Sequence, residues 1–276
     1  MSQTVQIGGH TVWLDGKGSQ TIVMLHGWPD TPRLWDAQVQ LLAPHWCCVR
    51  VALPGYAEGS ARQAASLDQV VDLLRQVVQH TSADRPVTLL LHDWGCLFGY
   101  QFAMLNPGLV SRIIGVDIGD ARSVAHLQSL RPSQKAIVAA YQLWLALAWR
   151  LRWVRKGRLG DRMTRAMARW LRCPTDPATI HVGMCYPYDI AWTGSYGGYG
   201  SVKAFDPPCP MLYIYGTRKP FMFHSQAWLA QLQARPGSRA VGLRTGHWVM
   251  CQQPEEFNHA LLDWLAPPVP LHGPTA

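Results

Sequence analysis

The stretch Leu89-Leu90-Leu91-His92-Asp93-Trp94-Gly95 is an apolar run that ends in a tight turn, and the helical pattern Leu97–Leu105 follows it. This layout is typical of a nucleophile elbow, in which a strained turn between a strand and a helix lifts one side chain clear of a sheet. The side chain at the turn is Asp93. An aspartate carboxyl, with an ordinary pKa of about 3.9, is ionised at pH 7 and can attack without a base. It suits attack on a saturated carbon bearing a leaving group, and the resulting ester must then be cleaved by water.

Short apolar segments alternate with helical patterns along the chain, and this alternation predicts an α/β fold with a mostly parallel central sheet and helices on both faces. Two of the helical patterns are Leu67–Gln79 and Ser225–Leu232. Thr4–Leu14, with Gly8-Gly9 in its middle, predicts a hairpin at the sheet edge. The predicted strands are Thr21–Leu25, Cys47–Ala52, Pro86–Leu91, Ile113–Val116, Met211–Tyr215 and Arg239–Leu243.

One interval lacks a convincing core strand. Residues 121–206 contain Trp- and Arg-rich helical stretches and then an aromatic, glycine-rich stretch, Tyr186–Gly200, which we interpret as a loop. We therefore predict a helical cap over 121–206, inserted into a catalytic core formed by 1–120 and 207–266. The proline-rich tail, 267–276, is expected to be disordered.

Composition restricts the classes of function. The chain has 276 residues, of which 48% are hydrophobic, enough for one large core. The beginning of the sequence shows no secretory signal, so a cytoplasmic location is expected. The longest apolar run, Ala136 to Trp149, is too short to span a bilayer. The seven cysteines show neither metal-ligand spacing nor a paired framework, so we expect no metal and no cofactor.

The formal charge of +8 is concentrated in one stretch. Residues 150–172 include eight arginines and Lys156, against the single acid Asp161. A basic face can attract nucleic acid, anionic lipid or an acidic substrate. No nucleic-acid motif accompanies it, so solvated arginines on a cap helix are the favoured interpretation and no nucleic-acid partner is expected. The sequence says nothing about the oligomeric state.

Hydrolysis of an ester needs a base and an oxyanion hole. Gly246-His247-Trp248 follows the last predicted strand, so His247 is the candidate base. The oxyanion hole would come from two backbone N–H groups, that of Trp94 beside the nucleophile and that of Trp28 in His26-Gly27-Trp28-Pro29.

These motifs together resemble the epoxide hydrolase and haloalkane dehalogenase branch of the α/β-hydrolase superfamily, nearly end to end. The resemblance implies the α/β-hydrolase fold. Ala52 departs from the pattern, because an aspartate is common there. The stretches that carry the resemblance are Leu25-His26-Gly27-Trp28-Pro29, Pro54-Gly55-Tyr56-Ala57-Glu58-Gly59-Ser60, His92-Asp93-Trp94-Gly95, Gly246-His247-Trp248 and Pro254-Glu255-Glu256-Phe257-Asn258.

The third member of the triad departs from the common pattern. Members of this group often place an acid four residues into a segment like Tyr215-Gly216-Thr217-Arg218-Lys219, where this chain has Lys219. A lysine cannot orient His247, and its charge would oppose proton uptake by the imidazole. Other branches place the acid after the preceding strand. Asp117, 24 residues after Asp93, resembles that displaced acid, and Asp120 is the alternative.

The resemblance does not decide whether the leaving group is an epoxide oxygen or a halide. The alkoxide that leaves an opening epoxide is stabilised by protonated oxygen acids, which tyrosines supply. A departing halide is stabilised by N–H donors such as indoles. Tyr141 is similar to the first ring-opening tyrosine of epoxide hydrolases, and Tyr188 falls near the second, with Tyr186 as its neighbour. We therefore predict an enzyme that hydrolyses small apolar epoxides. A haloalkane dehalogenase that uses Trp94 is the alternative, and a non-catalytic ligand receptor is a third. Residues His26, Trp28, Trp94 and Tyr186 are expected to line the substrate pocket.

Overall fold

The computed structural model describes residues 2–57, 59–60, 62–83 and 85–266. The tail predicted to be disordered, 267–276, lies outside the described residues. The remaining chain contains eight strands in one sheet and ten α-helices, within the part that is described.

The sheet runs in the order β1-β2-β4-β3-β5-β6-β7-β8. Strand β2 pairs antiparallel with both β1 and β4, and every other neighbouring pair in the sheet is parallel. The predicted α/β architecture is thereby confirmed, because each predicted segment coincides with a strand to within a few residues. The strands are β1 (Gln3–Ile7), β2 (His10–Asp15), β3 (Gln20–Leu25), β4 (Trp46–Val51), β5 (Val87–His92), β6 (Val110–Val116), β7 (Met211–Gly216) and β8 (Arg239–Leu243).

The predicted hairpin is confirmed at one edge of the sheet. Strands β1 and β2 pair antiparallel, from Gln3 opposite Leu14 to Ile7 opposite His10. The turn between them is Gly8-Gly9, with φ of +56° and +79°. A two-residue hairpin turn requires positive φ at both positions, which glycine adopts without steric cost.

Helices cover both faces of the sheet. Every residue of β5 is buried, as expected for a central parallel strand. One face packs against helices α2 and α3, and the other against α1, α9 and α10. The helices are α1 (Asp36–Leu42), α2 (Leu67–Ser82), α3 (Trp94–Leu105), α4 (Val124–Ser129), α5 (Pro132–Arg150), α6 (Arg158–Trp170), α7 (Tyr186–Thr193), α8 (Gln226–Gln233), α9 (Val249–Gln252) and α10 (Pro254–Leu265). Among the residues described, no helix is long and apolar enough to cross a membrane.

Four of these helices, α4 to α7, lie between β6 and β7, in the interval where the sequence shows no core strand. The interpretation of Tyr186–Gly200 as a loop is wrong for its first half, because α7 occupies Tyr186–Thr193. Pro187 stands in the first turn of α7, where proline is favoured. The negative charge of Asp189 in the same turn interacts favourably with the helix dipole. The glycines that suggested a loop begin only at Gly194, where φ is +68° and the helix ends.

The register of the parallel strands brings the loops that follow them to one edge. Leu25 of β3 is opposite Leu91 of β5, and His92 of β5 is opposite Val116 of β6. On the far side, Gly216 of β7 is opposite Leu243 of β8. The segments after these five strands therefore leave the sheet side by side.

Candidate active site

Asp93 occupies a strained turn between β5 and α3. Its φ is +52° and its ψ is −122°, a backbone conformation that residues with a side chain rarely adopt. The turn is possible because Gly27 lies against it. A Cβ atom on Gly27 would stand 2.3 Å from Asp93 Oδ1, so only glycine leaves room for the carboxylate.

One backbone N–H group bonds to the Asp93 carboxylate, and a second belongs to the next residue in the chain. The amide of Trp28, in the turn after β3, donates a hydrogen bond of 2.7 Å to Asp93 Oδ1. The amide of Trp94 is the first of α3, a position that has no acceptor within its own helix. The structure thus places both predicted backbone donors beside the candidate nucleophile.

His247 lies between two carboxylates. Its Nε2 is 3.4 Å from Asp93 Oδ2, and its Nδ1 donates a 2.5 Å hydrogen bond to Asp117 Oδ2. Asp117 directly follows β6, is completely buried and has a φ of +68°. The structure therefore brings together Asp93, His247 and Asp117 from three separate strand ends.

Asp120, the alternative acid, is occupied elsewhere. Its Oδ1 accepts a 2.6 Å hydrogen bond from the Ser225 amide, and its Oδ2 accepts a 2.7 Å bond from the Ser225 hydroxyl. Ser225 is the N-cap of α8. Asp120 therefore fixes the start of a helix, and no hydrogen bond joins it to His247 in the described part of the chain.

Lys219 has a position that the sequence did not predict. Its ammonium group pairs with Asp117 Oδ1, which also accepts a 2.9 Å hydrogen bond from the Gly216 amide. The Lys219 side chain is only 7% exposed. A cation thus stands where related chains often carry the acid, and it contacts the carboxylate that holds His247.

Charge coupling in this cluster decides the protonation states. Burial by itself would lower the pKa of His247, but hydrogen bonds to Asp117 and Asp93 raise it to about 9. Burial would raise the pKa of Asp117, but the charge of Lys219 and the hydrogen bond from His247 hold it below its ordinary value. Asp117 and Asp93 therefore both favour a proton on the His247 imidazole.

A cavity of about 510 Å³ opens above Asp93 and His247. Tyr141 of α5 and Tyr188 of α7 both line it, with their rings 6.2 Å apart and nearly perpendicular. Burial raises the pKa of Tyr141 to about 12 and that of Tyr188 well above its ordinary value. Both hydroxyls are consequently protonated at neutral pH and can donate to a molecule in the cavity. Trp28 also lines this cavity.

Three of the predicted pocket residues do not line the cavity. His26 is fully buried, and both of its ring nitrogens meet backbone groups, at Leu53 and Gly27, so it joins two loops. Tyr186 is fully buried against Tyr56 instead of facing the cavity. Trp94 stands behind Tyr188, at a ring distance of 5.2 Å. The expectation is corrected for these three residues. Hydrogen bonds between two loops hold His26, Tyr188 packs against Trp94, and the packing of α7 turns Tyr186 away from the cavity.

Sequence reasoning missed a polar network behind His247. The His92 ring lies 4.4 Å from the His247 ring, and its Nε2 is 3.2 Å from the His247 carbonyl oxygen. The indole of Trp248 donates a 3.0 Å hydrogen bond to the buried Asp30 carboxylate, which lies 3.6 Å from His92 Nδ1. Each of these residues is a neighbour of a motif residue, so adjacency was the available signal. No group of three or more His, Cys, Asp or Glu side chains could hold a metal ion within the described ranges.

Sequence and structure comparisons with known proteins point to the same family. The sequence model of the alpha/beta hydrolase family matches residues 22–260. A structure of an epoxide hydrolase from Bacillus megaterium, in complex with an inhibitor, superposes with a TM-score of 0.72 at 19% identity, over 95% of this chain and 99% of that one. A loop variant of a haloalkane dehalogenase from Bradyrhizobium elkanii gives 0.66 at 16% identity, over 96% and 95%. At these identities the likeness shows the fold.

Curated relatives match shorter segments. A protein of Mycobacterium tuberculosis named probable oxidoreductase EphD is 31% identical over 110 residues, which is 39% of this chain and 18% of that protein. Epoxide hydrolase 4 of Homo sapiens is 20% identical over 274 residues, which is 93% of this chain and 75% of that protein. The chain spans between 18% and 37% of the length of the first seven curated relatives it matches.

Proposed function

Because the chain belongs to the alpha/beta hydrolase family, we propose that it hydrolyses a small apolar epoxide to a diol through an ester on Asp93. The observation that carries the proposal is the shared cavity. The same cavity is lined by Asp93, at its strained elbow, and by two protonated tyrosines, Tyr141 and Tyr188. A nucleophile that shares a cavity with two oxygen acids suits a substrate whose leaving group stays attached as an alkoxide.

In the first step, an oxygen of Asp93 attacks an epoxide carbon. A carbon–oxygen bond to the carboxylate forms while the ring carbon–oxygen bond breaks. The departing oxygen takes a proton from Tyr141 or Tyr188, and that tyrosine regains a proton from solvent. Donors aimed at the oxygen where charge develops stabilise the transition state more than the bound epoxide.

Ester formation also prepares His247 for the second step. The charge and the hydrogen bond of Asp93 are two of the causes that hold the pKa of His247 near 9. When Asp93 becomes a neutral ester, these two causes disappear and the pKa falls, so the neutral imidazole that the second step needs becomes more populated. The nucleophile thus controls when its neighbour becomes a base.

In the second step, water attacks the carbonyl carbon of the ester. His247 takes one proton of that water, and Asp117 stabilises the imidazolium. The amides of Trp28 and Trp94 bind the oxyanion that forms on the ester oxygen. The bond to the diol oxygen breaks, and that oxygen takes the other proton. Asp93 returns as a carboxylate and His247 as an imidazolium.

A haloalkane dehalogenase is the second candidate. The indole N–H of Trp28, a cavity residue, is buried beside the Cys185 thiol, a weak acceptor that a halide could replace. A departing halide needs such N–H donors and needs no proton. The same carboxylate and histidine would serve both reactions, so the leaving group alone separates the two functions.

A panel of small epoxides and haloalkanes tests the assignment, with diol and halide release measured on the same protein sample. Diol release without halide release is the expected result. Halide release that persists in the double variant Tyr141→Phe/Tyr188→Phe and disappears in Trp28→Phe would establish the dehalogenase instead. Binding of these compounds without turnover of any would indicate a non-catalytic receptor.

A further inference from the structure

The outer face of α5 is apolar and exposed. Leu143, Trp144 and Leu147 are each between two fifths and one half exposed, although large apolar side chains usually pack inward. With about 3.6 residues per turn, the exposed apolar positions fall within an arc of roughly 120°. They are Ala136, Ile137, Ala140, Leu143, Trp144 and Leu147. In the turn after α5, Trp153 is 65% exposed.

The outer face of α6 is basic and exposed. Arg158, Arg162 and Arg169 follow each other at helical spacing on this face, and Arg155 and Lys156 precede them in the turn. None of these five makes an ion pair with another residue in the ranges that the structure describes. The only acid of the stretch, Asp161, instead accepts a hydrogen bond from the Val182 amide and faces Arg62.

These two faces adjoin at the mouth of the cavity. The indole of Trp144 on α5 donates a 3.0 Å hydrogen bond to the Met163 carbonyl on α6, so the helices lie side by side. Ile137 of α5 and Trp170 of α6 both line the cavity, and Trp170 is 65% exposed. We call the exposed apolar residues of α5, together with Arg155, Lys156, Arg158, Arg162 and Arg169, the cap face.

We propose that the cap face docks on the surface of an anionic phospholipid bilayer. Apolar side chains beside unpaired basic ones are the combination that binds a lipid interface, since the first enter the acyl boundary while the second meet phosphate groups. A second copy of this chain fits less well, because two symmetric basic faces of a chain with a formal charge of +8 would repel each other. A nucleic acid would contact the basic residues but would leave the exposed apolar residues of α5 in water.

Docking would place the mouth of the cavity against the bilayer. Apolar epoxides partition into lipid, so they could enter the cavity without crossing water. This consequence rests on the proposed function, whereas docking itself does not, and the two can be tested apart.

Flotation with vesicles, carried out without substrate, tests the docking. The full chain is mixed with vesicles of phosphatidylcholine alone or with roughly one third phosphatidylglycerol. The variant Leu143→Gln/Leu147→Gln removes apolar contacts, and its control is Leu262→Gln, an equally exposed leucine on α10. The variant Arg158→Gln/Arg162→Gln removes charge, and its control is Lys17→Gln/Lys203→Gln, exposed lysines elsewhere. A thermal melt of each variant verifies folding.

The expected result is binding to the anionic vesicles only. Each cap-face variant should lose binding by about ten-fold or more, while both controls bind as the parent does. Equal binding to both vesicle types, or none to either, would overturn the proposal. So would a self-association that Leu143→Gln/Leu147→Gln abolishes in the absence of lipid, which would assign the face to a second copy. Binding lost only in Arg158→Gln/Arg162→Gln would show that the apolar residues of the cap face take no part, and would also overturn the proposal.

Discussion

Asp93 and Asp117, the two carboxylates that flank His247, both directly follow a strand, and both have positive φ, +52° and +68°. A positive φ costs a residue with a side chain free energy, which the surrounding hydrogen bonds offset. The Gly216 amide and Lys219 hold Asp117, and the Trp28 amide holds Asp93. The strain positions each carboxylate toward the same imidazole.

We predict that Asp117→Asn slows ester hydrolysis by up to about 10⁴-fold, because an amide cannot balance the charge that His247 gains. Ester formation should change far less, so the ester should accumulate. Single-turnover kinetics with an epoxide resolve the two steps. Asp120→Asn is the matched comparison and should alter the thermal melt, through α8, more than either step. Nearly normal ester hydrolysis in Asp117→Asn would remove Asp117 from the triad.

Lys219 leads to a prediction about pH. The sequence does not show what Lys219 contacts, whereas in the structure its ammonium contacts Asp117. This positive charge opposes the proton on His247, so Lys219→Met should raise the pKa of His247 in the ester form. The acid limb of ester hydrolysis should then move to higher pH. Loss of one partner of a buried ion pair should also lower the free energy of unfolding by about 3 kcal/mol.

A pH profile of single-turnover ester hydrolysis measures the shift, with Lys219→Arg as the control that keeps the charge. An acid limb that stays in place or moves to lower pH in Lys219→Met would show that the ammonium does not influence His247.

At the scale of elements, α5 and α7 each deliver one tyrosine to the cavity. We predict that Tyr141→Phe and Tyr188→Phe each slow ester formation by roughly 10- to 10³-fold, as loss of a single oxyanion donor does. The double variant should be nearly inert toward epoxides, while substrate binding survives because phenylalanine keeps the ring. Stopped-flow measurement of ester formation gives these rates.

Tyr186→Phe provides the control for this pair. Tyr186 lies in the same helix as Tyr188, but it is buried away from the cavity and its hydroxyl has no partner among the described residues. The variant Tyr186→Phe should form the ester at the same rate as the parent protein. A loss equal to that in Tyr188→Phe would show that removing any tyrosine hydroxyl near α7 disturbs the site, and that the ring-opening role is not specific.

Some helices and strands could be predicted from the sequence, and others could not. Strand positions followed from apolar runs, and the elbow at Asp93 followed from a strand, a turn and a helix in order. The helix α7 was missed because the glycines after Thr193 dominate the composition of that stretch. Which tyrosine of Tyr186 and Tyr188 faces the cavity depends on how α7 packs on α5, and local sequence does not contain that packing.

At the scale of the whole molecule, the parallel sheet explains why residues distant in the chain meet. The ends of β3, β5, β6, β7 and β8 supply Trp28, Asp93, Asp117, Lys219 and His247 to one edge. Chain order and strand ends were enough to predict most of this set. The contact of Lys219 with Asp117 was not predicted, because the sequence does not show that a residue at the usual acid position can bind the displaced acid.

The proposed reaction depends on an ester at Asp93, and the variant His247→Gln should trap that ester. Without its base, the enzyme should form the ester and fail to hydrolyse it. After incubation with an epoxide, the intact mass of the protein should increase by the mass of that epoxide, and the increase should map to the peptide that contains Asp93. The parent protein should show no lasting increase, and Asp93→Ala/His247→Gln should show none at any time. Diol production by His247→Gln with no adduct, or an adduct on another residue, would contradict the account.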